Sequence, residues 1–366
     1  MNPGEHQHVF KDLLDRLPGL RGLWPTAAAG NPWLLMHWAL TLPFSHAMTC
    51  YVCNNFNNLC AVMAPDVLIG GVPCTDFSIV GQRAGLWGPT FPVLATFVRE
   101  LRELAPAIGI LENVVRFPMF MLEMYLSDMF IIVQLNAEPA DAGYGLIARE
   151  RSYFILVNKA KCTVVADMAY LFSTIARHNR QADVSRPRHA LLATECEWQR
   201  ELRWLEALRG SQPHGGAWSA MTWRERRAVQ YYHNLYAQRY WACSTQAADL
   251  FCFLGDNPWS RITWTAHSGK LPTLRMNAGF MYNIASNRYL TPREKLAAMG
   301  FPTYQELAAQ MGVPCVLEGD DEARAAGAAV GNSMHLGVLY LVLLVALACA
   351  KPAGARGALR NTMQYL

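Results

Sequence analysis

The sequence predicts an α/β protein, and three observations carry that expectation. Short apolar runs of strand length, at Asp66–Ile69, Ala107–Leu111, Met129–Leu135 and Tyr153–Val157, alternate with helical patterns at Pro92–Leu104 and Pro118–Leu126. Such alternation argues for a sheet, expected here to be parallel, with helices on its faces. A chain of 366 residues is long enough to bury a sizeable core and to form two or three domains. Hydrophobic residues make up 52% and charged residues 16%, which excludes wholesale disorder.

The formal net charge of +4 permits nucleic-acid binding without requiring it. The ten cysteines are scattered, as in a reducing compartment rather than a disulfide scaffold. The first residues, Met1–His6, show no basic segment leading into an apolar stretch, so no secretory signal is expected. The longest apolar run, Leu336–Ala350, falls short of the ~20 residues of a membrane span and reads as a buried helix. The expectation is an intracellular protein with no membrane contact, nuclear if the source is eukaryotic.

Taken in order, His8–Asp12 reads as a short strand ending in an acid. Trp33–Leu42 is apolar enough for a buried helix. His46, Cys50, Cys53 and Cys60 are a weak zinc candidate: the Cys-x-x-Cys spacing suits thiolate ligation, but the spacings to His46 and Cys60 follow no common pattern, and the expectation is no metal. The apolar strand Asp66–Ile69 runs into Gly70-Gly71-Val72-Pro73-Cys74-Thr75-Asp76-Phe77-Ser78. Two glycines permit a sharp turn and close approach, and Pro73 stiffens the backbone before Cys74. This places a thiol on a rigid loop at the carboxyl edge of a sheet, where open α/β sheets bind ligands. On Pro92–Leu104, Val93, Leu94, Phe97, Val98, Leu101 and Leu104 share one face, and Arg99, Glu100, Arg102 and Glu103 the other.

Thirty-eight residues after Cys74 stands Glu112, in Ile108-Gly109-Ile110-Leu111-Glu112-Asn113-Val114. Asn136-Ala137, Gly143-Tyr144-Gly145 and Arg149-Glu150-Arg151 follow, and far downstream Leu290-Thr291-Pro292-Arg293-Glu294 and Gly331-Asn332-Ser333. In order and spacing these blocks resemble the cytosine-5 DNA methyltransferase family: its Pro-Cys nucleophile motif, Glu-Asn-Val motif, Arg-x-Arg motif and two C-terminal motifs. Each is weak alone, and five in order make a strong signal, over residues 66–156 and 270–345. The phenylalanine- and glycine-rich loop and the ribose-binding acid that precede the nucleophile strand in that family are not found, although Asp12 matches the acid ending its third element.

The resemblance implies a Rossmann-like, S-adenosylmethionine-dependent catalytic domain, incomplete at its start, over 1–158 and 279–350. It also implies a target-recognition region at 159–278 and a tail at 351–366. Between Arg177 and Arg239 there are 11 arginines, no lysine and 6 acids, interleaved with Trp and Tyr. Arginine suits phosphate and guanine contacts, whereas composition alone fits a solvated helical surface equally well. By resemblance Cys74 is the nucleophile, Glu112 donates a proton to cytosine N3, and Arg151, with Arg149 behind it, holds O2 and a nearby phosphate. Asn113 orients neighbours. Asn332, Ser333, Pro73 and Asp12 face S-adenosyl-L-methionine. Ser78, Arg83, Arg224, Arg226 and Arg227 face duplex DNA from which a cytosine is flipped. A tRNA cytosine-5 methyltransferase and an inactive nucleic-acid-binding scaffold or fragment are the alternatives.

Overall fold

The computed structural model describes residues 12–20, 31–50, 59–78, 83–210, 216–275, 279–317 and 319–354. In chain order the helices are α1 (Pro32–Thr41), α2 (Phe91–Leu104), α3 (Met119–Leu126), α4 (Met168–Ala182), α5 (Glu195–Arg209), α6 (Gly216–Ala220), α7 (Trp223–Tyr240), α8 (Pro292–Ala298), α9 (Gln305–Met311), α10 (Asp320–Ala329) and α11 (Leu336–Cys349). The strands are β1 (Ala47–Thr49), β2 (Leu59–Ala61), β3 (Val67–Gly70), β4 (Ile108–Asn113), β5 (Phe130–Ala137), β6 (Arg151–Asn158), β7 (Cys162–Val164), β8 (Phe251–Phe253), β9 (Met281–Asn283), β10 (Arg288–Tyr289) and β11 (Ala350–Pro352). The chain divides into two compact units, one of residues 1–137, 151–172 and 342–366, the other of 138–150 and 173–341.

The first unit is built on a four-stranded sheet of order β3-β4-β6-β5. β3 and β4 are parallel, joined through α2, but β6 runs antiparallel to both β4 and β5. The sheet is therefore mixed rather than parallel. Between β5 and β6 the chain forms only a short 3-10 turn, Pro139–Ala142, where a parallel return needs a crossover that is usually a helix. β6 thus starts from the edge where β5 ends.

α2 buries Leu94, Phe97, Val98, Leu101 and Leu104, as its period demands. Its polar face departs from expectation at Glu100, which is buried. Arg16, on a 3-10 turn at Leu13–Arg16, gives Glu100 Oε1 hydrogen bonds from Nε (3.0 Å) and Nη2 (2.9 Å). Burial pushes the Glu100 carboxyl up, and Arg16 opposes it. α1 starts where Asn31 caps Trp33 and Leu34, and buries Leu35, Met36 and Ala39. These helices close one core with Leu17, Phe91, Leu111, Phe117, Leu122, Phe130 and Phe154.

Among the described residues the second unit has a core around Trp198, Leu202, Val229, Tyr232 and Trp264, and another around Ile147, Phe251, Leu271, Met281 and Met299. α8 begins as expected at Thr291, whose Oγ1 accepts from Glu294 N (3.2 Å) while Glu294 Oε2 accepts from Thr291 N (2.8 Å). Counted with the 3-10 turn before it, Val330–Cys349 spans 20 residues and is long and apolar enough to cross a membrane by length and composition. Its regular part, α11, has 14 residues, or about 21 Å at 1.5 Å each, short of a ~30 Å hydrocarbon core.

Candidate active site

Strand directions decide which residues meet. β3 and β4 end at one edge of the sheet, and β6 begins there, so Cys74, Glu112, Asn113 and Arg151 are delivered to the same edge by three strands. Glu112 pairs with Tyr153 and Asn113 with Ser152. Residues two apart share a face, so Glu112 and Arg151 lie diagonally on one side, and Asn113, Ser152 and Asn136 on the other.

On the first side, Arg151 Nε stands 3.2 Å from Glu112 Oε1, with only 14% and 9% of the two side chains exposed. On the second, Ser152 Oγ donates to Asn136 Oδ1 at 2.7 Å. Asn113 Nδ2 donates to Val72 O at 3.3 Å, and its Oδ1 accepts from Val114 N at 2.9 Å. Asn113 thereby ties the end of β4 to the backbone just before Pro73 and Cys74.

The Cys74 loop is a tight turn: its carbonyl accepts from Phe77 N (3.0 Å) and Ser78 N (2.9 Å), and the thiol is half-buried. Asp76 fastens the loop to the start of α2, accepting at Oδ2 from Thr90 N (2.8 Å) and Thr90 Oγ1 (2.5 Å). A Cβ on Gly88 would meet the Asp76 carboxylate at 1.9 Å, so the carboxylate requires glycine there. Gly70 proves to be needed for a protein contact rather than a ligand: a Cβ on it would lie 2.3 Å from the Phe97 ring of α2. Asp76, Thr90 and Gly88 were not among the sequence candidates. Only an acid two residues beyond the thiol hinted at them.

Several candidates sit differently from expectation. Asp12 ends no described strand; it caps the 3-10 turn, accepting from Leu14 N at 2.9 Å. Residues 8–11 lie outside the described residues. Arg149, in the second unit, is buried, and its Nη2 donates to Ser333 O (2.7 Å) and Gly331 O (3.4 Å). It clamps the Gly-Asn-Ser turn by its carbonyls. Ser333 Oγ donates to Val330 O at 2.8 Å, and Asn332 is exposed. Beside this turn, His335 caps α11: Val338 N donates to its Nδ1 at 3.3 Å, which leaves the imidazole proton on Nε2, buried without a hydrogen-bond partner. Burial, then the Arg149 charge, push His335 down to about 3.

Among the described residues no group of three or more His, Cys, Asp or Glu is arranged to hold a metal. Cys60 pairs across β1–β2 with Met48, and Cys53 lies outside the described residues. In α7 the three arginines diverge. Arg227 stacks on Trp223 (4.7 Å) and Trp259 (5.2 Å), Arg226 Nε donates to Met221 O (3.1 Å), and Arg224 Nη2 reaches Gly255 O (3.4 Å). A groove of about 370 Å³ lined by Arg239, Arg261, Trp264, His267 and Ser268 lies in the same unit, unmarked by any motif.

Residues 54–128 match the family model of C-5 cytosine-specific DNA methylases. A 49-residue stretch is 41% identical to the type II methyltransferase M.AquIA of a Picosynechococcus strain, covering 13% of this chain; the match spans 20% of that protein's length. Among solved structures the chain is similar to the Schizosaccharomyces pombe Dnmt2 methyltransferase (15% identity, 77% of this chain and 78% of that one, TM-score 0.42). It is also similar to the Entamoeba histolytica methyltransferase EhMeth (14% identity, 77% of each chain, TM-score 0.38). Cys74, Glu112 and Asn113 all lie within the segment that matches the model of C-5 cytosine-specific DNA methylases.

Proposed function

We propose that this chain is the catalytic region of a cytosine C5 methyltransferase acting on DNA, with S-adenosyl-L-methionine as methyl donor. The observation that supports it most is the convergence of Cys74, Glu112 and Arg151 on one sheet edge, with Glu112 and Arg151 in a 3.2 Å ion pair. Cytosine C5 is a poor nucleophile. Bonding of the Cys74 thiolate to C6 turns the ring into an enamine whose C5 attacks an electrophilic methyl group. When the ion pair opens to admit the base, Glu112 takes up a proton from solvent and delivers it to N3 as that bond forms, while Arg151 turns its guanidinium toward O2. Loss of the C5 proton to a base then expels the thiolate and restores the aromatic ring. The target base leaves the helix to reach Cys74.

For the donor, the second unit offers Asn332 and Ser333 on the turn that Arg149 clamps, next to the His335 Nε2–H that lacks an acceptor. A buried donor without a partner beside a helix N-terminus suits the carboxylate of an amino-acid tail. When bound, the group supplies the electrophilic methyl. The sequence has no glycine-rich loop for the adenosine, and loss of those contacts costs several kcal/mol, each ~1.4 kcal/mol being tenfold in affinity. Weak binding of the donor by residues 1–366 is the expected outcome.

The test is a covalent adduct with a duplex containing 5-fluorocytosine in the presence of the donor. An adduct lost in Cys74→Ser is expected, and one that persists in Cys74→Ser rejects the assignment. A tRNA hairpin run beside the duplex separates the RNA-modifying alternative.

A further inference from the structure

The Cys74 sulfur is half-buried and forms no hydrogen bond with any described residue, so the turn that carries it decides where it lies. That turn is anchored on both sides of the thiol. Before it, Asn113 Nδ2 donates to Val72 O at 3.3 Å, and Thr90 Oγ1 lies 3.5 Å from Pro73 O. After it, the Asp76 carbonyl accepts from Gly85 N at 2.9 Å. The Asp76 carboxylate accepts at Oδ2 from Thr90 N (2.8 Å) and Thr90 Oγ1 (2.5 Å). Phe77 is held edge-on against Phe117 at 5.1 Å. Asp76 and Thr90 thus join the turn to the first residues of α2.

This arrangement carries local costs. Thr90 stands at the N-cap of α2, yet its hydroxyl does not cap that helix, whereas Thr194, Thr222 and Thr291 cap α5, α7 and α8 from the same position. Asp76 is 1% exposed, and its Oδ1 is buried without a hydrogen-bond partner among the described residues. A buried carboxylate oxygen left without a donor is unfavourable. Gly88 is confined to glycine by the same carboxylate. Exposed Arg83 adopts a left-handed backbone with φ of 54°, which a residue other than glycine adopts at some cost. Such costs count against a purely stabilising role for the acid. They fit a group retained for the geometry it imposes.

We propose that Asp76, acting through Thr90, is the positioning residue of the nucleophile. The carboxylate ties the Cys74 turn to the start of α2, and this fixes the distance and direction from which the sulfur meets C6 of the base. It acts through the turn, and no proton or bond passes through it. The proposal deepens the methyltransferase reading and rests on it for the identity of the reaction. A displacement of about 1 Å at a reacting atom costs on the order of 10²-fold in rate, so a loosened turn should be visible in the chemistry.

The experiment compares the full chain with Asp76→Ala, Thr90→Val and Thr90→Ser in three measurements. These are the single-turnover rate of the adduct with a 5-fluorocytosine duplex at saturating S-adenosyl-L-methionine, the affinity for that duplex, and the rate of Cys74 alkylation by iodoacetamide across pH. Thr90→Val keeps the shape of the side chain and removes the hydroxyl. It is expected to slow the adduct by up to about 10²-fold and to leave duplex affinity and the alkylation profile unaltered, because a small neutral reagent needs no fixed approach. Asp76→Ala should do the same, and if it fails to fold, Thr90→Val decides. Thr90→Ser keeps the hydroxyl and should restore most of the rate. A Thr90→Val rate equal to that of the natural chain overturns the proposal. So does a Thr90→Ser as slow as Thr90→Val. An alkylation rate that falls in step with the adduct also overturns it, since the acid then acts on the thiol itself and not on its placement. A natural chain that forms no adduct rejects the methyltransferase reading, and the positioning role falls with it.

Discussion

Arg151 Nε and Glu112 Oε1 approach to 3.2 Å across two antiparallel strands, in a site where both side chains are nearly out of water. The pair is made by register: Glu112 faces Tyr153, and Arg151 is two residues back on the same side. It holds both side chains oriented where β4 ends and β6 begins.

Glu112→Gln keeps the shape of the pair and removes the carboxyl proposed to protonate N3. Adduct formation on 5-fluorocytosine DNA is expected to slow by about 10²–10⁴, the usual range for a general acid. Arg151→Lys should also slow it, because a point-charge ammonium does not reproduce the planar fork. Single-turnover kinetics decides this, and a Glu112→Gln rate within threefold of the natural chain would remove Glu112 from the mechanism.

Gly70→Ala places a methyl 2.3 Å from the buried Phe97 ring. Overpacking of this kind costs about 1–3 kcal/mol. Urea unfolding should show that loss, and Phe97→Leu in the same chain should return most of it. Gly70→Ala without loss would mean the ring moves freely, against the close packing of α2 on β3.

The pH dependence of the second unit carries the signature of His335. Its folded value, about 3, is below the ordinary 6.5, so the unfolded chain binds the proton first as pH falls. The stabilising effect of a neutral His335 is complete above about pH 6.5. It is lost as pH drops from there toward 3, at up to ~1.4 kcal/mol per unit. His335→Asn keeps an N-cap and has no titrating ring, so its unfolding free energy should change less between pH 7 and pH 5. Parallel slopes for the two chains would contradict the buried, neutral imidazole.

In α7, Arg224, Arg226 and Arg227 changed together to Ala should weaken duplex binding and flatten its salt dependence by about 0.9 for each phosphate released. The structure orders the single changes. Arg227, stacked between Trp223 and Trp259, and Arg224 should account for most of the effect, while Arg226 is held by the Met221 carbonyl. Identical salt slopes in the triple variant would return α7 to a solvated surface.

What the sequence determined by itself were the features written in local pattern. The α2 face, the Thr291 cap and the strands around Leu68, Ile110, Val133 and Ile155 follow from periodicity and capping chemistry, and each is found within two residues of its expected bounds. Cys74, Glu112 and Arg151 were visible because their motifs are contiguous. Only the tertiary structure decided what depends on strand direction and distant partners. A short turn at Pro139–Ala142 reversed β6, and that reversal, invisible to periodicity, is what sets Arg151 diagonally beside Glu112. The Arg-x-Arg motif reads as one unit in the chain. Yet Arg149 spends its guanidinium on carbonyls 182 and 184 residues away, while Arg151 pairs with a strand 39 residues earlier. Side chains two apart on an extended backbone share a spacing but not a partner, and the partner is chosen by packing that no local pattern records.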